Sequence, residues 1–187
     1  MMHMKKTLIL GIGGCGKNLI KNIKVTESNK KLTINTTDAD INIGENESIE
    51  KAILEHKKEI MDQLNSFDKI FIFTGLGGKT GTGATLEIIK MTKNKPFIFA
   101  TLPFNLERKR KEITKEAIKE IEKHSNVILF DNNLLIKMYP TKSLKDAFEK
   151  VNSIASKIIE LDFKGISYLE VCENGIFEND GFSYCLN

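Results

Sequence analysis

Residues 7–20 have the sequence TLILGIGGCGKNLI, and this stretch decides the fold. An apolar run leads directly into a cluster of glycines, and a segment with helical character follows. Glycine lets backbone N–H groups approach an anion because it carries no Cβ, and a helix that begins at such a point adds its positive end. The stretch therefore predicts a buried strand, a phosphate-binding loop and a helix, in that order.

The same alternation of apolar runs and helical patterns continues along the chain. Uninterrupted apolar runs are typical of parallel strands covered on both faces, and they occupy residues 7–12, 32–36, 69–75, 96–102 and 126–130. Amphipathic patterns with a helical period occupy residues 47–64, 82–93, 106–124 and 143–161. This order predicts an α/β fold, namely a three-layer, doubly wound, mostly parallel sheet with helices on both faces. Ligands of such sheets bind at the carboxyl ends of the strands.

Composition excludes several classes of protein. The chain has 187 residues, 41% of them hydrophobic, so a disordered protein is not expected. A net charge of +3 gives no case for nucleic acid or membrane binding. The three cysteines and three histidines lack metal-ligand spacing, so no metal site is expected within the protein itself. No run reaches the length of a membrane span or a signal sequence, and we therefore expect a cytoplasmic protein with reduced thiols.

The first glycine cluster, taken alone, partly fits a P-loop. Gly11, Gly16 and Lys17 match G-x-x-x-x-G-K-[S/T], but Asn18 stands where a hydroxyl should hold Mg²⁺. The run VILFD, which ends in Asp131, would then be the metal-holding strand. This interpretation predicts an ATPase in which Lys17 contacts the phosphates.

The same cluster also fits a dinucleotide-binding fingerprint. Gly11, Gly13 and Gly16 form G-x-G-x-x-G after a strand, and Asp38 follows the second strand at about the distance expected of a ribose-binding acid. This interpretation leaves a second glycine-rich segment, residues 75–85, without a role.

That second segment has the sequence GLGGKTGTGAT and follows the strand at residues 69–75. Its glycines open the backbone to an anion, and a helix that begins near Thr82 would add its positive end. Thr80 and Thr82 offer further hydroxyl donors. The segment therefore predicts a site for a diphosphate or triphosphate.

The two loops together resemble the tubulin/FtsZ superfamily. GGKTGTG is similar to the signature GGGTGTG, with Lys79 in place of the third glycine, and GIGGCGKN is similar to the first FtsZ nucleotide loop, GVGGGGGN. Further similarities follow in the same order along the chain, in INTTDAD, TLPFNLERKRK, LFDNNLL and SLKDAFEKVNS. The resemblance implies an FtsZ-like GTP-binding domain over residues 1–163, which includes the central helix. Residues 164–187 would form a short C-terminal appendage of one or two strands.

The resemblance also implies a set of site residues and a ligand, GTP or GDP, with Mg²⁺ as a companion ion. The phosphates would contact Gly13, Gly14, Gly77, Gly78, Thr80, Gly81 and Thr82. The ribose and guanine would contact Asn18, Glu107, Lys111, Asp131, Asn132, Phe148 and Asn152. Phe148 and Asn152 are four residues apart, so they share one side of a helix. Asp131 and Asn132 are alternatives for one guanine contact, depending on the register of the match.

Three departures from the family pattern affect the expected function. Only residues 41–48 stand where FtsZ has a long loop over the γ-phosphate, and Lys17 replaces a glycine, so we hypothesise that Lys17 supplies positive charge to the triphosphate. ELDFKG at residues 160–165 keeps Asp162 as a catalytic aspartate that would act on a neighbouring subunit, but Gly165 replaces the second aspartate. We therefore expect nucleotide binding with weak or partner-dependent hydrolysis in cell division or filament assembly.

Two alternatives to this function stay open at this stage. The first is a non-catalytic remnant that modulates a full-length FtsZ-like protein, and the second is a degenerate P-loop ATPase. The expected partners are a guanine nucleotide and either a second copy of the chain or a full-length relative.

Overall fold

Six parallel strands form the central sheet of the structure, a computed structural model that describes residues 5–163. The strands are β1 (Thr7–Ile12), β2 (Asn29–Asn35), β3 (Ile41–Asn42), β4 (Lys69–Gly75), β5 (Phe97–Leu102) and β6 (Asn126–Asp131). Five of them correspond to the predicted strands, and β3 was not predicted because two residues carry no periodicity. The predicted appendage at residues 164–187, with Cys172 and Cys185, lies outside the described residues.

The strand order is β3-β2-β1-β4-β5-β6, and each pairing within residues 5–163 is parallel. The register places Ile12 beside both Ile34 and Thr74, so the carboxyl ends of the central strands lie at one edge. The chain winds outward from β1 in one direction through β2 and β3, and then from β4 in the other direction. The predicted doubly wound α/β fold is confirmed.

Seven helices connect or flank the strands within the described residues. They are α1 (Gly13–Ile20), α2 (Ile49–Glu55), α3 (Lys57–Asn65), α4 (Lys79–Ile89), α5 (Arg108–His124), α6 (Asn133–Met138) and α7 (Leu144–Phe163). Helices α2 to α4 and the buried residues of α5 share one hydrophobic core with Leu8 and Leu10 of β1. Helices α1, α6 and α7 share a second core with Ile9 on the other side of the sheet. These two cores make the three predicted layers.

The single helix predicted over residues 47–64 is two helices. His56 ends α2 and precedes α3 with φ −96° and ψ 8°, which is outside the helical region. Periodicity could not reveal this break, because the buried residues Ile53 and Ile60 on either side of it are seven residues apart, a spacing that a continuous helix would also give.

Helix α4 begins three residues before the predicted start at Thr82. Gly78 has an extended backbone and caps the helix, and the amide of Thr82 makes the first intrahelical bond, 3.0 Å long, to the carbonyl of Gly78. The glycine-rich segment is therefore mostly the first turn of a helix, not a loop in front of one. Among residues 5–163, no helix combines the length and the apolar character that a membrane crossing requires.

Candidate functional site

A cleft of about 390 Å³ opens at the carboxyl edge of the sheet, between β1 and β4. This is the switch point at which the winding direction reverses, because α1 leaves β1 on one face of the sheet and α4 follows β4 on the other. Open α/β sheets bind their ligands at such points. The topology alone therefore marks this cleft as the candidate site.

The first turns of α1 and α4 meet at the floor of the cleft. Gly13 has φ +71°, a conformation that favours glycine, and it turns the chain from β1 directly into α1. A Cβ on Gly13 would lie 3.2 Å from the amide nitrogen of Gly81 in α4. The first amides of a helix have no intrahelical acceptor, so both helices direct free N–H groups and positive dipole ends to one place.

The residues predicted to contact phosphate divide into two groups. Gly13, Gly14, Gly78, Thr80 and Gly81 line the cleft. The other two residues, Gly77 and Thr82, are buried behind it, where the Gly77 amide donates a 2.8 Å hydrogen bond to Thr82 Oγ1. The structure thus uses the Thr82 hydroxyl to hold the turn in front of α4 and does not bring it to the cleft wall.

The opposite wall comes from β5 and the start of α5. Glu107 lines the cleft, and its carboxylate accepts bonds from the Phe104 amide at 3.1 Å and from Arg110 at 2.5 Å. Lys111, the predicted partner of the ribose, instead donates a 2.6 Å bond to Asn105 Oδ1. Arg110, one residue earlier, lines the cleft.

The two alternatives at the end of β6, Asp131 and Asn132, differ in their hydrogen bonds. Asp131 Oδ1 accepts bonds from the amide of Asn133 at 2.9 Å and from its side chain at 2.5 Å. Asn132 lines the cleft, is 8% exposed, and its Oδ1 has no hydrogen-bond partner among the described residues. A buried acceptor without a partner costs about 1–3 kcal/mol. Asn132 therefore carries an open acceptor at the site, whereas the Asp131 oxygen is already occupied.

A second pocket of about 420 Å³ adjoins the cleft, and Cys15 and Phe148 line both. Its walls bring together Asn18 from α1 and Asn152 from α7, as well as Phe148. These are three of the residues predicted to contact the ribose and guanine. Phe104 packs edge-to-face on Phe148, with ring centroids 6.3 Å apart, which fixes the ring between the two pockets.

One ion pair joins the two helices that form this second pocket. Lys21 of α1 donates a 2.5 Å bond to Glu149 of α7, and Asn152 donates a 3.3 Å bond to the other carboxylate oxygen. The hydrogen bond from Lys21, followed by that from Asn152, lowers the pKa of Glu149 below its ordinary value. The pocket is thereby bordered by a carboxylate that stays charged, and the Asn152 amide is held in place.

Three polar residues that line the cleft, Cys15, Asn35 and Thr101, were not predicted as site residues from the sequence. Cys15 and Thr101 share a 3.3 Å hydrogen bond, and burial raises the pKa of the Cys15 thiol, so this side chain is a neutral part of the floor. Asn35, at the end of β2, lines the cleft as well. The sequence could have indicated Thr101 and Asn35 as site residues, because both lie at the carboxyl ends of predicted strands, where ligands of such sheets bind.

Lys17 does not reach toward the cleft. Its ammonium donates a 2.5 Å bond to the carbonyl of Asp38 and forms an ion pair with the carboxylate of the same residue. The hydrogen bond and charge of Lys17 lower the pKa of Asp38. Among the lysines of the described chain, Lys79 lines the cleft, in the first turn of α4. The hypothesis that Lys17 contacts a triphosphate is not supported by this geometry.

The dinucleotide fingerprint opens a helix directly, so the start of α1 does not distinguish that interpretation. The P-loop interpretation requires a loop between β1 and the following helix, but α1 begins at Gly13, immediately after the strand. Lys17 lies within that helix, and Asp38 is paired with it. No cluster of His, Cys, Asp and Glu side chains within residues 5–163 could hold a metal ion by itself.

Asp162 lies at the far end of α7, away from the cleft. It forms an ion pair with Lys69, the first residue of β4. Because β4 has seven residues and the cleft is at its other end, Asp162 is about 20 Å from the candidate site. A reaction in the cleft could involve Asp162 only if the aspartate came from another molecule.

Comparisons with known proteins agree with this arrangement. A family model described as the GTPase domain of the Tubulin/FtsZ family matches residues 20–140. Cell division protein FtsZ 2 of Methanocaldococcus jannaschii is 29% identical over 188 aligned residues, which cover 87% of this chain and 48% of that protein. Cell division protein FtsZ of Aquifex aeolicus is 37% identical over 116 residues, 59% of this chain and 32% of that protein.

A solved structure described as an empty FtsZ dimer from M. jannaschii superimposes with a TM-score of 0.69 at 27% identity. The superposition covers 83% of this chain and 53% of that one. The chain thus spans about half the length of FtsZ 2 and of the FtsZ in this solved structure.

Proposed function

We propose, since this chain belongs to the Tubulin/FtsZ family, that its two adjoining pockets bind one guanine nucleotide, GTP or GDP. The observation that carries the proposal is the contact between Gly13 and Gly81, which puts two helix N-termini side by side at the switch point. Free amides and positive dipole ends of this kind bind phosphate groups. In this proposal Gly13, Gly14, Gly78, Thr80 and Gly81 hold the phosphates.

The base and ribose would occupy the space on either side of Phe148. The ring would stack on the base, a contact worth about 1–3 kcal/mol. The unpaired Asn132 Oδ1 would accept from the N1–H and N2–H donors of guanine, for which adenine offers no equivalent pair. Asn18 and Asn152 would border the base, and Glu107 would bind the ribose. A magnesium ion would be coordinated through phosphate oxygens and water, as is usual for this ion beside nucleotides.

Gly78→Ala offers a clean test of phosphate binding. A Cβ at Gly78 meets no protein atom within 4 Å, and its φ of −86° suits alanine, so the variant should fold normally. Its methyl group would nevertheless project from the floor where the phosphate is expected. Isothermal titration with GDP and ADP should give binding of GDP alone to the native chain. The combined Gly78→Ala, Thr80→Val variant should lose that binding with an unchanged melting temperature. Retained GDP binding in this variant would contradict the proposal.

Hydrolysis, in this proposal, is weak and depends on a second subunit. Among the described residues that line the cleft, the carboxylate is that of Glu107, which already accepts bonds from Phe104 and Arg110. Asp162 would serve as the water-positioning carboxylate only from a neighbouring molecule, either a second copy or a longer FtsZ-like protein. Phosphate release per subunit should then rise with protein concentration and disappear in Asp162→Asn. A rate per subunit that is independent of concentration would exclude catalysis across subunits.

The second candidate function is nucleotide binding without hydrolysis. The ion pair between Lys69 and Asp162 favours this candidate, because Lys69 already occupies the Asp162 carboxylate. In this case the chain would modulate the assembly of a full-length relative in cell division. Light scattering of a full-length FtsZ with GTP should change when the chain is added at substoichiometric amounts. The relevant control is the combined Gly78→Ala, Thr80→Val variant, which should fold normally but not bind the nucleotide.

A further inference from the structure

Among the described residues, the cations that line the cleft are Lys79 and Arg110, and they differ in whether they have a partner. Lys17 is paired with Asp38, Lys21 with Glu149, and Arg110 with Glu107. Lys79 lines the cleft, is exposed, and has neither a hydrogen bond nor an ion pair within the described part of the chain. It is therefore the cation that is available to a ligand of the cleft.

The position of Lys79 is unfavourable for the protein alone. Lys79 is the first residue of α4, and a cation in the first turn is repelled by the positive end of the helix dipole. The signature that this segment resembles, GGGTGTG, has glycine at that position. An exposed lysine that has no partner among the described residues and that opposes the dipole does not stabilise the domain by itself.

The same cleft contains an independent indication of a ligand. Asn132 is 8% exposed, and its Oδ1 lacks a partner among the described residues although it lies on the cleft wall. The cleft thus presents an unpaired ammonium, that of Lys79, and an unpaired buried acceptor, Asn132 Oδ1. Together they match a ligand that has an anionic group at one end and hydrogen-bond donors at the other.

We propose that Lys79 binds the outermost phosphate of a bound nucleoside triphosphate and makes the site prefer the triphosphate to the diphosphate. The inference rests on the proposed guanine nucleotide site and adds its phosphate specificity. The amides of Thr80 and Gly81 lie in the helix turn itself and take the inner phosphates. The ammonium of Lys79, on a flexible four-carbon stem at the rim, reaches the more distant one. Lys79 thereby takes over the contact with the outermost phosphate that a long loop would make in FtsZ. In this chain only the short segment at residues 41–48, which includes β3, stands at that place.

The test compares the affinities of GTP and GDP in variants of the full chain. Titrations are made in EDTA, so that Mg²⁺ cannot neutralise the phosphates and hydrolysis does not proceed. Because a hydrogen bond to a charged group is worth roughly 1.5–3 kcal/mol, Lys79→Gln should weaken GTP binding about tenfold or more and GDP binding less than about threefold. Lys79→Arg should retain most of the GTP affinity. Lys93→Gln removes the same charge beyond the other end of α4 and should leave both affinities unchanged.

The outcomes separate this inference from the proposed function. If the native chain binds neither GTP nor GDP, the proposed function fails. If it binds them and Lys79→Gln loses equal factors for both, or loses nothing, the preference for triphosphate is not due to Lys79 and the inference alone is overturned. A fall in GTP affinity for Lys93→Gln as large as that for Lys79→Gln would also overturn it, because net charge would then explain the effect.

Discussion

Gly16 of α1 packs directly on Phe73 of β4: a Cβ on Gly16 would lie 2.2 Å from the carbonyl oxygen of Phe73. Atoms of real side chains do not approach backbone oxygen so closely. The missing side chain is what allows α1 to lie against the sheet and to point its first turn into the cleft. Gly16 is therefore required for packing, independently of the phosphate binding proposed for its neighbours Gly13 and Gly14.

The first prediction concerns this contact. Gly16→Ala should destabilise the domain by about 3 kcal/mol or more, because the clash is with backbone and the helix must move away from the sheet. Gly14→Ala, two residues earlier in the same helix, is the matched control, since a Cβ there meets no atom within 4 Å. Denaturant unfolding of both variants measures the difference. Equal stabilities would mean that α1 does not pack on β4 as described.

The second prediction concerns Asn132. Asn132→Leu retains the approximate shape of the side chain and removes an acceptor that has no partner within residues 5–163, so the melting temperature should stay equal or rise. Guanine nucleotide affinity should fall about tenfold or more. Asn126→Leu, at the exposed amino end of β6, makes the same change far from the cleft and should leave the affinity unaltered. A destabilised Asn132→Leu variant with normal affinity would assign Asn132 a structural role instead.

The third prediction concerns Phe148. Phe148→Leu keeps much of the packing against the core beside α7 but removes the aromatic face, so nucleotide affinity should fall by about 1–3 kcal/mol with a small change in stability. Phe148→Tyr keeps the ring and should bind within about threefold of the native chain. Calorimetric titration with GDP measures both. If leucine and tyrosine behave alike, the ring does not stack on the base.

The fourth prediction concerns Lys17 and the effect of pH. Lys17→Ala should leave nucleotide affinity within about twofold, because the Lys17 ammonium binds Asp38 and not the cleft, whereas a P-loop lysine would be essential.

The pairing also fixes the direction of the pH effect. Lys17 lowers the pKa of Asp38 in the folded state from the ordinary value of 3.8. The contribution of the pair to stability is therefore complete above that value and is lost as the pH falls through the lowered folded pKa. Carboxyl chemical shifts followed by NMR should show the pKa of Asp38 rising toward its ordinary value in Lys17→Ala. An unchanged pKa would mean that the ion pair is absent in solution.

Sequence reasoning succeeded where the signal was repeated and local. The buried strands are continuous apolar runs, and the glycine-rich segments stand at the ends of β1 and β4, so the parallel sheet and the position of its cleft followed from pattern alone. The resemblance placed Asn18, Phe148 and Asn152 in one expected set of contacts, and the structure has all three lining one pocket; their contact with a base stays a prediction.

The sequence could not show which polar side chains already have a partner within the protein. The expectations that Lys17, Lys111 and Thr82 contact the ligand each assumed that the side chain points to it. In the structure Lys17 donates a hydrogen bond to Asp38, Lys111 donates one to Asn105, and the Thr82 hydroxyl accepts one from the amide of Gly77. These partners lie 21, 6 and 5 residues away along the chain, and the spacing of a motif contains no information about them.

The cleft is assembled from turns that are far apart in the chain, and this has a consequence for how the protein is made. Gly13 lies on its floor, and Phe148 closes its side, 135 residues later. At about 5–20 residues per second of synthesis, the last of these is added roughly 7–27 seconds after the first. If the proposed site is correct, a nucleotide can make all of its contacts, and so stabilise the domain fully, only after α7 has been synthesised and has docked.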